Sequence, residues 1–231
     1  MDDRKTKWNA YWSAEKEKMK GLDVRQKIRY VIGYYWLWIL GVGVGLFLII
    51  YMIYRAGFTV KDYWFYSMYA NTMEDAGNGS QLWKDFVDYA GFDTGKKKVE
   101  MNASSYFDPS VPGGTNNSYY QAFVALVESG DLDVVVLGKA GLQAVGSSGR
   151  LLDLGSEECS AIREKYSDRL VYCTPYDEEY SEEQVPVGID LSDSLLISKY
   201  HLYPSDCVLG ISAYTGRLES AEMFLDFVLQ G

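Results

Sequence analysis

Residues 30 to 54, YVIGYYWLWILGVGVGLFLIIYMIY, run for 25 positions without a charged side chain, and Arg29 and Arg55 close the two ends. As an α-helix rising 1.5 Å per residue, the run is about 37 Å long, enough to cross a bilayer's ~30 Å hydrocarbon core with some tilt. Tyr30, Tyr34, Tyr35, Trp36 and Trp38 crowd one end, and Tyr51 and Tyr54 mark the other. Amphipathic rings settle at membrane–water interfaces. A core helix of a soluble domain is shorter and keeps a polar face. The run therefore predicts one transmembrane helix, and the rest of the chain must be assigned to one side of it or the other.

Charge makes that assignment. Residues 1–29 carry nine basic and five acidic side chains, a balance of +4. The whole chain has 22 and 32, so the residues after the run carry 13 and 27, a balance of −14. The positive-inside rule then puts the N-terminus in the cytoplasm and the long C-terminal part outside the cell. A cleaved signal peptide fits less well: its apolar core spans about 7–15 residues and ends at small residues. Here 29 residues precede a longer run that ends in Tyr51-Met52-Ile53-Tyr54. The expected organisation is a basic, aromatic tail at 1–29, the span at 30–54, a connector at 55–79 and an extracytoplasmic domain at 80–231. The tail suits either an interfacial helix, with Trp8, Trp12, Met19 and Leu22 near one face, or a solvated arm. Within the span, Gly41 and Gly45 have the small-xxx-small spacing that lets helices approach closely.

The outer part is long enough for one domain with a real core. Its acidity argues against nucleic acid as a partner. Its periodicity alternates between helix and strand. Ser80 caps a helix with Trp83, Phe86, Val87 and Ala90 on one face and Gly91 at its end. Lys98 to Ser104 alternates as a strand. A helix burying Tyr120, Phe123, Val124 and Val127 stops at Gly130, and Leu132 to Leu137 reads as a central parallel strand. Short helices follow at Lys139–Gly146 and from Ser156, with an extended piece at Leu151–Leu154 between them. Strands are expected at Leu170–Cys173, Val185–Leu191 and Cys207–Ala213, a loop at Asp177–Glu183, and a closing helix with Leu218, Ala221, Phe224, Leu225 and Val228 inward. The pattern predicts an α/β domain.

Little in the sequence speaks for catalysis. His201 is the single histidine, and no Gly-x-Ser-x-Gly elbow, phosphate-binding loop or Cys-x-x-Cys occurs. Asp131, Asp133, Asp190 and Asp193 offer carboxylates for acid–base pairing, but helix and strand ends commonly carry solvated carboxylates, and they are read as such. No catalytic residue, metal ligand or cofactor is expected. Cys159 and Cys173, on a helix and the strand after it, are either a disulfide or two buried thiols.

Four segments, in order, carry a family resemblance: Phe123-Val-Ala-Leu-Val-Glu-Ser-Gly-Asp-Leu-Asp-Val-Val-Val136, Gly141 to Leu154, Val185-Pro-Val-Gly-Ile-Asp-Leu191, and Cys207 to Ala213 continuing through Ala221-Glu-Met-Phe-Leu-Asp-Phe-Val-Leu229. From about Lys97 onward the chain resembles the extracellular solute-binding proteins of ABC importers, the two-lobed type II periplasmic-binding fold. The resemblance implies one α/β lobe of that fold beside a transporter permease or other membrane subunit of the cell envelope. Leu154 to Val185 is too short for a complete second lobe, and a transmembrane helix stands where the family has a lipid-anchor cysteine. The other reading is an assembly subunit whose lobe makes only protein contacts.

Ligands of open α/β sheets gather at the carboxyl ends of strands, among loops and helix N-termini. Those ends supply Tyr106, Phe107 and Asp108, then Lys139, then Asp190 and Asp193, and finally Tyr214 and Arg217. Rings beside carboxylates and hydroxyls suit a sugar or a peptide segment; the alternative is that these are ordinary loop residues.

Overall fold

The computed structural model describes residues 2–58, 62–175 and 184–230, in two compact units, Met1–Thr59 and Val60–Gly231. The loop expected at Asp177–Glu183 lies outside the described residues.

The first unit is a pair of helices, α1 (Asp2–Lys18) and α2 (Val24–Phe58). Gly21, at φ +97°, turns the chain between them, a conformation that costs glycine nothing. Asp23 opens α2: its backbone N–H donates to Gln26 Oε1 at 3.1 Å, the reciprocal half of a capping box. Val24–Tyr54 is long and apolar enough to cross a membrane, and none of its most apolar stretch is buried. The tail is thus helical, and it folds back along α2. Tyr11 and Tyr35 share a hydroxyl hydrogen bond of 2.8 Å, while the Tyr30 hydroxyl donates to Glu15 at 3.1 Å, so the helices run antiparallel. Glu15 is buried and also takes Lys18 Nζ at 2.8 Å. Met19 and Leu22 fall in the turn beyond α1, so the expected apolar face stops with Trp8 and Trp12, which meet edge-on.

The second unit is a six-stranded mixed sheet covered by helices on both faces. In chain order it comprises β1 (Tyr63–Ala70), α3 (Gln81–Ala90), β2 (Lys98–Ser105), α4 (Ser118–Glu128), β3 (Val134–Leu137), α5 (Lys139–Ser147), α6 (Ser160–Lys165), β4 (Leu170–Cys173), β5 (Val185–Asp190), α7 (Leu195–Ser198), β6 (Val208–Ile211) and α8 (Leu218–Val228). Side by side the strands run β2-β1-β3-β6-β5-β4. β1 is parallel to β2 and β3; β6 is antiparallel to β3 and β5, and β4 to β5. The α/β class follows from the sequence pattern. β1, by contrast, corrects the expected connector: it is an inner strand of the sheet. YWFYSMYA has no polar alternation because both of its faces are covered, Phe65 and Tyr69 on one side and Tyr66, Met68 and Ala70 on the other.

Residues of β3 alternate between two cores, Val134 and Val136 in one and Val135 and Leu137 in the other. Helices α3, α6, α7 and α8 supply the first core, and α4 and α5 the second. Phe65, Phe86 and Phe224 centre the first, with every pair of ring centroids 5.0 Å apart. Helix ends fall where the sequence puts them. Ser80 Oγ accepts from Trp83 N at 3.2 Å, and Gly91 closes α3 at φ +65°.

The cysteines part company. Cys159 belongs to the first core and Cys173 to the second, with the sheet between them, and all three thiols are free and buried. Of the two readings, a disulfide or two buried thiols, the second holds. Sequence neighbourhood brought them together on paper, but β4 carries Cys173 toward α5, where it lies against Gly146. Between Leu154 and Val185 the described residues form α6, short 3-10 turns and β4, which extends the same sheet at its edge rather than starting another layer.

Candidate functional site

Three parallel strands, β2, β1 and β3, end together at Ser105, Ala70 and Leu137, and β6 begins at the same edge because it runs the other way. The chain leaves each strand by a different route, and a cleft of about 300 Å³ opens between the exits. Asn71 follows β1 in the left-handed region, at φ +59°. Asparagine tolerates that conformation better than most residues. Its side chain donates from Nδ2 to Phe107 O at 2.8 Å and its backbone N–H to Ser105 O at 3.0 Å, which ties the first wall to the second. Phe107 is buried beneath Asp108, whose Oδ1 accepts from Ser110 N at 2.9 Å and Ser110 Oγ at 2.5 Å.

The third wall is the start of α5. Gly138 is its N-cap and provides no side-chain acceptor, so the first amides of the helix face the opening with their partial positive charge. Gly141 lies beside the Asp108 loop: a Cβ there would be in ordinary contact with Asp108 Oδ1, at 3.4 Å. Tyr203 forms part of the floor. Its hydroxyl donates to Val136 O at 3.0 Å, and burial pushes its phenol well above the ordinary tyrosine value, so it stays neutral. Asp206 stands on the exposed rim with Lys139, and its Oδ1 accepts from Ser205 Oγ at 2.8 Å. The cleft thus presents a ring face, an amide side chain, one cation and two carboxylates. A second hollow of about 310 Å³ beside His201 is less open to a ligand's charge, because Lys199 in its wall is already held by Asp85 at 2.7 Å.

Of the residues singled out from the sequence, Phe107, Asp108 and Lys139 come together in the cleft. Tyr106 does not line it; this ring is exposed, edge-on to Tyr119 at 6.2 Å. Asp190 and Asp193 lie on the same sheet edge, beyond β6. Asp190 Oδ1 is occupied by Ser192, through N at 2.8 Å and Oγ at 2.5 Å. Asp193 forms a two-pronged pair with Arg169, 2.9 Å on one prong, and that guanidinium holds its carboxyl below the usual range.

Tyr214 and Arg217 are on the opposite edge. The carboxyl-end rule misplaces them because β6 is antiparallel to its neighbours, so its last residue sits beside the first residues of β3. There Arg217 Nε donates to Asp133 Oδ2 at 3.0 Å and Nη2 to Asp131 O at 2.5 Å. Asp133 is fully buried and also accepts from Tyr66 N at 2.7 Å and from the Thr215 hydroxyl. Burial is the largest influence on its carboxyl and raises it above the ordinary value, against the pull of these donors. This constellation ties the far edge of the sheet together, away from the cleft. Sequence reasoning missed Asn71, Tyr203 and Asp206. Asn71 sits in the stretch read as connector, and the other two lie before a strand, where only an antiparallel topology brings them to this edge. Among the described residues no group of three or more His, Cys, Asp and Glu is placed to hold a metal ion.

No protein-family model, curated protein or solved structure matches this chain.

Proposed function

We propose that this is a single-pass membrane protein whose N-terminus is cytoplasmic and whose α/β domain, displayed outside the cell, binds a solute or peptide segment beside a transporter or another envelope complex, without catalysis. The observation that carries the reading is the cleft at the joined ends of β1, β2 and β3. Its volume is at the small end of ligand pockets, a fit for a monosaccharide or a short peptide side chain. Its ring, amide and paired charges offer the apolar platform and directional hydrogen bonds that such ligands need. Further support comes from where the four family-like segments fall. They are α4–β3, α5 with the Leu151 bridge, β5, and β6–α8, which are adjacent pieces of one sheet and its two helix layers. The domain stands as one lobe of the resembled fold.

A screen of sugars and short peptides by isothermal calorimetry on the full chain in nanodiscs tests this reading. Lys139→Gln and Asp206→Asn should each weaken a ligand at least fivefold while moving the melting temperature by no more than about 2 °C, as exposed substitutions do. Unaltered affinity in both variants rejects the cleft. The second reading, an assembly subunit, draws on the exposed Tyr106–Tyr119 pair. A photocrosslinker at Tyr106 that captures a membrane subunit, with no solute bound anywhere, favours it. Protease added to intact cells should remove the C-terminal domain and spare the tail; the opposite pattern reverses the topology.

A further inference from the structure

The first turns of α2 carry a feature that the span itself does not use. A shallow groove of about 780 Å³ runs along the helix from Arg25 to Gly33, with Arg25, Gln26, Ile28 and Arg29 at its upper end and Ile32 and Gly33 below. Arg25 and Arg29 are one turn apart on the same face, so their guanidinium groups are neighbours. Neither is paired with a carboxylate among the described residues. Asp23 also borders the groove, leaving it one net positive charge within a segment of net +4. Ile28 and Ile32 are more than half exposed, at 54% and 56%. At Gly33 an added Cβ would meet nothing within 4 Å, so the helix has a notch there that opens outward. Helix α1, which meets α2 through Tyr30 and Tyr35, leaves Ile28 and Ile32 exposed.

Resting on the reading of α2 as a membrane span, we propose that this groove is a binding site for an anionic glycerophospholipid of the cytoplasmic leaflet. Arg25 and Arg29 hold the headgroup phosphate, each guanidinium offering forked donors to its oxygens. One acyl chain lies over Ile32 and past the Gly33 notch, and Ile28 packs against the glycerol region between the two arginines. The vertical order fits. Arg29 immediately precedes the uncharged run that starts at Tyr30, and Arg25 to Gly33 spans about 12 Å of helix axis, from headgroup level to the first carbons of the chain. A soluble anion would need the arginines alone. The exposed isoleucines, continuous with the apolar run, select an occupant that has a hydrocarbon tail.

The test uses the full chain in nanodiscs of phosphatidylcholine containing phosphatidylglycerol, with native mass spectrometry counting the lipids retained. The wild-type chain should retain phosphatidylglycerol over phosphatidylcholine. R25Q/R29Q should lower that preference about 25-fold, roughly fivefold for each arginine. K16Q/K20Q, which removes the same charge from the same segment, should lower it far less. Gly33→Leu should reduce retention with the charge unchanged. Three results would overturn the proposal: no preference in the wild type, an equal loss in K16Q/K20Q, or complete competition by millimolar inorganic phosphate. Carbonate extraction of cell membranes separates the two claims. Protein released by carbonate refutes the span itself, whereas protein that pellets but retains no phosphatidylglycerol refutes only the groove.

Discussion

Removing Arg217 tests whether the far edge of the sheet is a structural staple or a binding surface. In Arg217→Ala, Asp133 keeps its bonds from Tyr66 N and Thr215 but loses the guanidinium, and the Asp131 carbonyl loses its donor. Breaking a buried ion pair typically costs 3–5 kcal/mol. The cost here is smaller, about 2–3 kcal/mol, because two donors remain on the carboxylate and the arginine side chain is itself 24% exposed. For a domain of this size that corresponds to a fall of about 5–10 °C in melting temperature. The effect carries a pH signature. Burial already holds the Asp133 carboxyl above its ordinary 3.8, and loss of the cation raises it further. Protonation then relieves the unpaired charge, so the gap between variant and wild type narrows as the pH falls from 8 toward 5. Scanning fluorimetry of the full chain in detergent at several pH values measures both quantities. A melting temperature within 1 °C of wild type, or a gap that widens in acid, would refute the staple. Weakened ligand binding with an unchanged melt would return Tyr214 and Arg217 to the binding surface.

The three thiols make a second test. They should all react with a thiol reagent after unfolding and resist it in the native state, with no change in melt on adding reductant. Burial pushes the Cys207 thiol up to about 12, so almost none of it is thiolate at neutral pH. A mass-mapped Cys159–Cys173 link would show that the sheet does not separate the two cores. Acid supplies the third. Asp85, held by Lys199, Tyr200 and Gln81, and Asp193, held by Arg169, both have carboxyls lowered from 3.8. Their contribution to stability is complete well above that value and is lost as the pH falls through their lowered native values. Asp85→Asn should therefore melt below wild type at pH 7 and approach it near pH 3, and parallel curves would refute the pairing.

Much of this architecture is legible in the residues because the relevant forces act over a few positions. Length and uniform apolarity mark α2, and caps such as Ser80 and Gly91 satisfy backbone groups within one turn of themselves. The helical periods of α3, α4 and α8 and the alternation of β2 report burial directly, and Phe107, Asp108 and Lys139 come from the rule that places candidate sites in the loops after strands. What the residues alone do not disclose is direction and neighbourhood. β1 is buried on both faces, so it loses the alternation that would have marked it. The antiparallel insertion of β6 between β3 and β5 is set by long-range pairing, which no local pattern encodes. That one reversal carries Tyr203 and Asp206 into the cleft and Arg217 away from it, and it converts an expected ligand contact into the partner of a buried Asp133. The placement of Cys159 and Cys173 follows the same physics. Side chains 14 positions apart are kept from bonding by the sheet, whose two faces fill separately because each must exclude water on its own side.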